Sequence, residues 1–373
     1  TGSSGKTTVK EMLAAALSAD RPVHASPGNL NSTVGLPLSI LAAPAGAAVW
    51  VLEVGANVPG EIARLTEIAA PDDAVVTTVG AAHLEHFGSV EGVLEEKLDL
   101  VRGASPEGVV VVGERPESLA AAARRIRPDT IVAGLGGGAD YRPDRHDWDA
   151  SGATFERGGV RYRVSAGGEH HLRDALLAAA AAEAVGVPAA VAAGGLADFR
   201  PLGWRGAVRR VHGLTVVADC YNANPDSFEA VIDFCTGAFP DRPLAAAVGS
   251  MLELGDRSGD AHLEVARRLL RTGFGPILVT GAFVEAFRSL AASDEVAAAG
   301  IRPPGRRAGP VVAAEDAEAA GRILADLLRG DEVVLVKGSR GARMEGALDR
   351  LEAAFGDRAV AAAAGRAGAA GGA

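Results

Sequence analysis

The amino-acid sequence predicts an α/β protein built from two domains. Short runs of β-branched apolar residues alternate with alanine- and leucine-rich stretches along the chain. This alternation is typical of parallel strands joined by crossover helices. The 373 residues are enough for two domains of ordinary size. The segment DFRPLGWRG at 198–206 contains proline and glycine and precedes a second strand-helix series, which indicates a boundary near residue 200.

In the first half, apolar runs predict strands at 48–55, 72–80 and 108–113. Helical stretches are predicted near 60–70, 90–104, 170–186 and 188–198. Residues 140–165 have Gly, Asp and Ser breaks between alternating segments, so we expect a small hairpin region there. Residues 1–199 would therefore form a parallel-sheet domain that also contains this hairpin region.

In the second half, the runs that predict strands are LTVVAD, LAAAVG, PILVTG and EVVLVKG. Helical stretches lie at about 225–238, 256–272, 315–329 and 343–355. Residues 200–358 would form a smaller Rossmann-like α/β domain. The tail 359–373 is rich in alanine and glycine without apolar periodicity, which predicts disorder.

Composition limits the classes of function. The formal net charge of -10 disfavours binding to nucleic acid or to anionic lipid. The sequence has no run of about 18 apolar residues that could be inserted in a membrane. Its cysteines are Cys220 and Cys235, too few for a disulfide framework. We therefore expect a cytoplasmic protein that acts on small molecules.

The chain opens on TGSSGKTT, a phosphate-binding loop of the form GxxGKT that leads into the helical stretch VKEMLAAAL. Its glycines let backbone N–H groups close on phosphate oxygens, and the helix N-terminus adds positive potential. Lys6 would reach the β- and γ-phosphates, while Thr7 would ligate magnesium. The alternative is a chance turn of Gly and Ser, because the strand that normally precedes such a loop is missing from this sequence.

Three further side chains stand near predicted strand ends or on the helix that follows. Glu53 closes an apolar strand, where a carboxylate requires either a salt-bridge partner or a metal such as magnesium. His83 follows another apolar strand, and Lys97 comes 14 residues later on a helical stretch. Taken alone, they would be a structural loop histidine and a solvated helix lysine. Lysine is scarce, however, and its positions are Lys6, Lys10, Lys97 and Lys337.

A set of segments, taken in order, resembles the Mur ligase family. The segments are GSSGKTT, GNLNSTVGLP, the stretch from EVGANVPGE to VLEEK, YNANPDS, MLELG and VKGSRGARME. They extend over roughly residues 1 to 355. YNANPDS and KGSRGARME are similar to the branch that adds D-alanyl-D-alanine to the peptidoglycan precursor. The implied fold is a P-loop parallel-sheet ATPase domain followed by the smaller Rossmann-like domain.

The resemblance implies roles for particular residues. ATP would be bound by Gly2, Ser3, Ser4, Gly5, Lys6, Thr7, Thr8, Asp174, Arg205, Asp219 and Asn222. The other substrates would be bound by Asn29, Asn31, Asn224, Ser339 and Arg340. The metal ligands would be Thr7, Glu53, His83 and Lys97, and the catalytic residues Lys6, His83 and Lys97. Lys97 also matches a lysine that family members carry as a carbamate.

The implied reaction joins D-alanyl-D-alanine to UDP-N-acetylmuramoyl-tripeptide. It would consume ATP, require Mg²⁺ and pass through an acyl phosphate. We expect a monomer that binds these small molecules. Two alternatives stay open at this point: a Mur-like paralogue with a different amine or carboxylate substrate, and a nucleotide-binding homologue without catalysis.

The chain departs from the family pattern at five positions. GEHHLRDA places His171 and Asp174 where family members have the asparagines of HNxxN, which predicts altered adenine binding. ADCYNANP and GSMLELG place three residues where family sequences have two carboxylates and a hydroxyl, namely Ala218, Cys220 and Ser250. These three changes are the reason for keeping a different amine substrate as an alternative.

The first residue is Thr1 rather than Met, and we expect a chain cut at its N-terminus. By the resemblance, the strand that feeds the phosphate loop and an N-terminal uridine-nucleotide domain would be missing. On that expectation, the chain alone would be a feeble catalyst.

Overall fold

The structure, a computed structural model, describes residues 1–201, 203–292 and 309–370. Helices and strands alternate along the described chain and the main sheets are parallel, which confirms the predicted α/β class. Two compact units are present, Thr1–Pro201 and Leu202–Ala373, called unit 1 and unit 2 below. Residue 202, part of the predicted linker, lies outside the described residues. Among the described helices, none combines the length and apolar character needed to span a bilayer.

Unit 1 has helices and strands along its whole length. Its helices are α1 (Lys6–Ser18), α2 (Gly35–Leu41), α3 (Glu61–Ala69), α4 (Leu84–Phe87), α5 (Val90–Gly103), α6 (Glu117–Ile126), α7 (Glu169–Ala184) and α8 (Ala189–Asp198). Its strands are β1 (Val23–Ala25), β2 (Val49–Val51), β3 (Ala74–Val76), β4 (Val110–Gly113), β5 (Ile131–Ala133), β6 (Arg145–Trp148), β7 (Ala153–Arg157) and β8 (Val160–Val164).

These strands form separate sheets. β1 and β2 pair in parallel, while β3, β4 and β5 form a second parallel sheet in that order. The predicted hairpin region is confirmed, because β6, β7 and β8 pair antiparallel in sequence. The strand predicted at 48–55 is shorter than expected. Beyond Val51 the Glu53 N–H bonds to the Ser26 hydroxyl at 3.1 Å rather than to a neighbouring strand.

Helix α1, which begins at the phosphate loop, is held by two other helices of unit 1. Helix α7 is rich in alanine and leucine and has 11 buried residues, so most of its faces are covered by other parts of the unit. Close packing also fixes α8, since a Cβ on Gly195 would lie 2.2 Å from the Ala15 carbonyl oxygen of α1. Helix α1, which follows the phosphate loop, is therefore packed tightly into the core of unit 1.

Unit 2 contains the second strand-helix series. Its helices are α9 (Pro225–Ala238), α10 (Ser258–Arg271), α11 (Ala282–Ala292), α12 (Ala317–Leu327) and α13 (Glu345–Ala370). Its strands are β9 (Ala207–Val211), β10 (Leu214–Asp219), β11 (Leu244–Val248), β12 (Phe274–Val279), β13 (Val311–Ala313) and β14 (Val333–Lys337).

The strands of unit 2 form one sheet in the order β13-β12-β11-β14-β10-β9. All neighbours are parallel except β9 and β10. Every residue of β11 and of β14 is buried, as a parallel sheet covered on both faces requires. Because β14 lies between β10 and β11, the loops that follow these three strands meet at one edge, where α/β proteins bind ligands.

Helix α13 runs from Glu345 to Ala370 and so enters the tail, and residues 371–373 lie outside the described residues. Disorder of the tail 359–373 stays a prediction. Alanine is the strongest helix former, so a helix can continue without apolar periodicity. The short strands β1, β5 and β13 were not predicted, because three residues are too few to show a period.

Candidate active site

The phosphate loop is built against the end of β3. Gly2 has φ 148°, and a Cβ there would lie 2.0 Å from the Thr77 hydroxyl oxygen, so only glycine fits. The Ser3 N–H donates to the Thr78 carbonyl at 2.8 Å, and the Ser4 N–H to the Thr78 hydroxyl at 3.1 Å. Gly5 adopts a left-handed φ of 80° as the N-cap of α1. The loop thus leads straight into a helix N-terminus, the arrangement that attracts phosphate.

Lys6 occupies the first turn of α1 and folds back over the loop. Its Nζ donates to the Gly2 carbonyl at 2.9 Å. This contact keeps the ammonium on the loop, where a phosphate bound by the loop would meet it. Thr7, the next residue, is buried and points to Glu53, while Thr8 is half-buried.

Glu53 is a buried carboxylate that is bonded by two of the predicted site residues of unit 1. Its side chain is only 3% exposed. Oε2 accepts a hydrogen bond from the Thr7 hydroxyl at 2.8 Å, and Oε1 accepts one from the Asn31 amide at 2.6 Å. Neighbouring ligand oxygens around octahedral Mg²⁺ lie about 2.9 Å apart, given bonds of 2.0–2.1 Å. The Thr7 and Glu53 oxygens are therefore spaced as two adjacent magnesium ligands would be.

Lys97 lies on α5 and is 2% exposed. Burial, and then the positive charge of Lys6, lower the pKa of its amine from 10.5 to about 7. The preceding carboxylate, Glu96, accepts the Gly60 and Ile62 N–H groups at 2.8 Å and so caps helix α3. Lys97 is thus a buried amine, within electrostatic reach of the phosphate-loop lysine, whose neutral form is favoured by its surroundings.

His83 is half-buried and adopts a left-handed φ of 54° as the N-cap of α4. It follows Gly80, whose N–H donates to the Ser3 hydroxyl at 3.0 Å, so its loop is attached to the phosphate loop. Among the residues that the structure describes, no group of three or more His, Cys, Asp or Glu side chains could hold a metal ion. A Mg²⁺ site here would combine protein oxygens, among them those of Thr7 and Glu53, with substrate oxygens, the usual pattern for this ion.

Asp174 on α7 lies directly against the phosphate loop. A Cβ on Gly5 would be 2.5 Å from its Oδ1, and the carboxyl is buried. Burial raises the pKa of Asp174 well above its ordinary value, which favours the neutral acid. His171, one turn earlier, bonds through Nδ1 to the Gly167 carbonyl at 2.8 Å. Both departures from the family pattern are therefore built into the packing near the loop.

The segment 26–31 connects the phosphate-loop helix to Glu53. Asn31 bonds to the carboxylate, whereas Asn29 is exposed and its carbonyl accepts the Asn31 N–H at 2.7 Å. Sequence reasoning missed Ser26, whose hydroxyl accepts the Glu53 N–H, and Lys10, whose ammonium bonds to the backbone of this segment. The scarcity of lysine was a signal for Lys10; no pattern pointed to Ser26.

In unit 2, a buried ion pair joins the ends of β10 and β14. Lys337 is fully buried, and its Nζ contacts the Asp219 carboxylate and donates to the Asn222 carbonyl at 3.2 Å. The Phe228 ring lies 5.1 Å from the same Nζ. The half-buried Asp219 and the exposed Asn222 are thereby held at the carboxyl edge of the sheet.

The remaining predicted ATP contact, Arg205, precedes β9 and packs on the loop after β10. The Arg205 guanidinium stacks over the Tyr221 ring at 3.6 Å. Asn224 caps α9, because its side-chain oxygen accepts the Ser227 N–H at 2.8 Å and its own N–H donates to the Ser227 hydroxyl. The structure therefore gives Asn224 a capping role, and its assignment to substrate stays a prediction.

Ser339 ties three loops together. Its hydroxyl accepts the Leu252 N–H at 3.0 Å and donates to the Ala223 carbonyl at 3.3 Å. Its backbone N–H donates to the Ser250 carbonyl at 3.0 Å. Arg340 is exposed and pairs with Glu345 at 2.9 Å. Of the two residues predicted to meet the second substrate, Arg340 is thus the more accessible.

The other departures from the family pattern are absorbed by packing in unit 2. Ala218 and Cys220 are fully buried, and the Cys220 thiol donates to the Val336 carbonyl at 3.3 Å. Burial raises the pKa of this thiol to about 12, so it stays protonated. The Ser250 hydroxyl accepts the Ala282 N–H at 2.9 Å. These three residues therefore support the loops at the carboxyl edge of the sheet through packing and hydrogen bonds.

His262 on α10 anchors the loop that contains MLELG. Its Nε2 accepts the Met251 N–H at 2.9 Å, and its Nδ1 lies 2.6 Å from the Ser258 carbonyl. These contacts require the neutral ring with its proton on Nδ1. Burial lowers the pKa of His262 below its ordinary value of 6.5.

Two parts of the chain match known protein families. Residues 1–182 match the Mur ligase middle domain, and residues 204–340 match the Mur ligase, glutamate ligase domain. The UDP-N-acetylmuramoyl-tripeptide–D-alanyl-D-alanine ligase of Treponema pallidum is 33% identical over 353 residues, 94% of this chain and 72% of the relative. The ligase of the same name from Bacillus subtilis is 35% identical over 268 residues, 71% of this chain and 58% of the relative.

Two solved structures are also similar. MurF from Acinetobacter baumannii gives a TM-score of 0.81 at 28% identity, over 94% of this chain and 75% of that one. MurF ligase from Thermotoga maritima in complex with ADP gives 0.78 at 31% identity, over 96% of this chain and 79% of that one. The chain spans between 58% and 72% of the length of the two curated relatives.

The buried imidazole of His262 predicts an acid-sensitive unit 2. Its folded pKa lies below its unfolded value of 6.5, so the unfolded chain binds more protons and stability falls as pH drops below about 6.5. The loss is at most about 1.4 kcal/mol per pH unit. Amide exchange of α10 and the 250–255 loop between pH 5 and 7.5 measures it. His262→Gln should flatten the dependence and the exposed His212→Gln should not; equal slopes in all three proteins would refute this prediction.

Proposed function

This chain belongs to the Mur ligase family, and we propose that it supplies the ATP-dependent joining of D-alanyl-D-alanine to UDP-N-acetylmuramoyl-tripeptide. Relatives of that name align with both of its units. The product would be the pentapeptide precursor of peptidoglycan. We place the reaction in the cytoplasm, where free thiols such as Cys220 and Cys235 stay reduced.

One observation supports this proposal above the others: the Glu53 carboxylate joins the phosphate loop to the segment 26–31. A ligase must bring the γ-phosphate of ATP to the carboxylate of its other substrate. Thr7 belongs to the phosphate side and Asn31 to the proposed carboxylate-substrate side. Since both bond to one buried side chain, the two substrates would be bound within a few ångströms of each other.

The chemistry then follows from the loop. Backbone N–H groups at the start of α1 would hold the ATP phosphates, and Lys6 would neutralise the charge that develops on the transferring phosphoryl group. An oxygen of the tripeptide carboxylate attacks the γ-phosphorus and ADP leaves. The amine of D-alanyl-D-alanine next attacks the acyl carbon, phosphate leaves and the amine gives up a proton. Mg²⁺, held by Thr7 and Glu53, would supply charge neutralisation at the phosphate oxygens.

Unit 2 would contribute to the nucleotide and to the second substrate. We propose that Asp219, Asn222 and Arg205 contact ATP, with Lys337 keeping the Asp219 carboxylate in place. Arg340 is an exposed cation suited to the carboxylate of D-alanyl-D-alanine. Asn224 and Ser339 would support these contacts by holding the loops.

We further propose that Lys97 acts as a carbamate. Its amine nitrogen would bond to the carbon of CO₂ and lose a proton to solvent, which turns a cation into an anionic oxygen ligand for Mg²⁺. Only a neutral primary amine can do this, and the burial of Lys97 beside Lys6 lowers its pKa to about 7. The loss of a buried positive charge close to another lysine also favours the adduct.

We expect the full-length protein to release phosphate from ATP only when UDP-N-acetylmuramoyl-tripeptide and D-alanyl-D-alanine are both present, because the chemistry needs all three ligands positioned together. The measurement is phosphate release together with product mass for a panel of dipeptides and amino acids. Turnover with another amine but none with D-alanyl-D-alanine would favour a paralogue, the reading that Ala218, Cys220 and Ser250 left open. ATP binding without turnover for any amine would contradict catalysis.

Lys97→Arg should lower kcat by about 100-fold, the upper end for loss of a metal-supporting group, because a guanidinium keeps the charge but cannot form a carbamate. Bicarbonate depletion should lower kcat of the wild-type enzyme and leave kcat of the variant unchanged. With ¹³C-bicarbonate, a carbamate resonance should appear only in the wild type.

Arg102→Lys is the matched control, since it changes a basic residue on the same helix α5 that pairs with Glu95 and Asp99 at the surface. It should keep kcat within about threefold, as exposed ion pairs contribute little. Normal turnover of Lys97→Arg and the lack of a carbamate resonance in the wild type would together contradict the proposed carbamate.

A further inference from the structure

Lys10 lies one turn after Lys6 on α1 and is 4% exposed. Its ammonium donates to the Ser26 carbonyl and to the Gly28 carbonyl, the latter at 2.7 Å. The Glu11 carboxylate lies 2.7 Å from the same Nζ. A buried ammonium requires several such partners to offset its loss of water, and Lys10 has one for each of its three N–H donors.

The two carbonyls, of Ser26 and Gly28, belong to one turn. Gly28 has a left-handed φ of 57°, which directs the backbone of the turn around the ammonium. A charged donor makes stronger hydrogen bonds to carbonyls than a neutral one. An apolar side chain at position 10 would leave both oxygens facing the helix without a donor.

The segment that contains this turn is hydrogen-bonded to Glu53. The Ser26 hydroxyl accepts the Glu53 N–H at 3.1 Å, and the Asn31 amide donates to the Glu53 carboxylate at 2.6 Å. The Asn31 carbonyl accepts the Gly55 N–H at 2.8 Å. Both ends of the segment are thus attached near Glu53, and the Gly28 carbonyl between them is attached to α1 through Lys10.

We propose that Lys10 is a positioning residue that shapes segment 26–31 for the carboxylate substrate. Helix α1 carries Thr7 on its first turn and Lys10 on its second, so one rigid element sets both the phosphate loop and this segment. The inference rests on the proposed function for the identity of the substrate. Lys10 itself touches neither ATP nor the reacting atoms and acts through the backbone at Ser26 and Gly28.

The test uses Lys10→Met, which keeps the apolar stem and removes the ammonium. We expect KM for UDP-N-acetylmuramoyl-tripeptide to rise about tenfold, since lost hydrogen bonds to a charged donor are of that size. KM for ATP and kcat should stay within about threefold. A role limited to stability would leave every KM unchanged in the folded enzyme. An equal rise in both KM values, or none, would overturn the proposal.

Glu11→Gln is the matched control. It removes the charge beside Lys10 but leaves both carbonyl contacts, so KM for the tripeptide should stay within about threefold. If Lys10→Met fails to fold, Lys10→Gln replaces it, because its shorter amide offers a weaker, neutral donor to one carbonyl. Lys10→Gln should show the same selective rise in KM for the tripeptide. If that rise is absent, the result counts equally against the proposal.

Amide exchange separates this proposal from the proposed function. In Lys10→Met, amides of residues 28–32 should exchange at least about tenfold faster than in the wild type, while those of α7 keep their rates. Unchanged exchange at 28–32 would overturn the role of Lys10 whatever the activity. Faster exchange in a protein whose wild type makes no product would instead count against the proposed function alone.

Discussion

The site of unit 1 depends on one buried carboxylate. Glu53 receives the Thr7 hydroxyl on one oxygen and the Asn31 amide on the other, so a single side chain fixes the distance between two loops. Its side-chain partners are neutral donors, and a nearby cation would stabilise a carboxylate buried in this way. The arrangement is thus suited to a divalent ion placed between a nucleotide and a second anionic substrate.

Unit 2 also fixes its loops through buried polar side chains, but it uses a lysine and a serine rather than a carboxylate. There the central strand β14 ends at Lys337 and is followed by Ser339. The ion pair of the buried Lys337 and the Ser339 hydroxyl hold the loops after β10 and β11. A buried ion pair adds little net stability, but any geometry that separates its partners leaves an uncompensated charge. Such contacts therefore favour one loop geometry over others. In both units, buried polar side chains at the carboxyl edge of strands turn flexible loops into fixed ones.

The sequence predicted those features that follow from local rules. The GxxGKT form predicted the phosphate loop, and the position of Glu53 after an apolar run predicted a carboxylate near it, because carboxyl ends of parallel strands face the ligand crevice. The contacts of Lys10 and Ser26 could not be predicted, since they join residues 16 and 27 positions apart through tertiary packing. Asn224 and Ser339 show the opposite limit. Their motifs indicated substrate binding, whereas in the structure Asn224 caps α9 and the Ser339 hydroxyl bonds to two loops, so their contact with substrate stays a prediction.

The most direct test of this account is the magnesium dependence of ADP binding in Glu53→Gln, measured by calorimetry with and without Mg²⁺. The amide is nearly isosteric but lacks the charge, so the gain in affinity from Mg²⁺ should fall at least about tenfold. Glu183→Gln is the control, because this carboxylate bonds the Tyr141 and Tyr162 hydroxyls, and it should keep the full gain. A Glu53→Gln protein that keeps the wild-type gain would contradict the central role of Glu53.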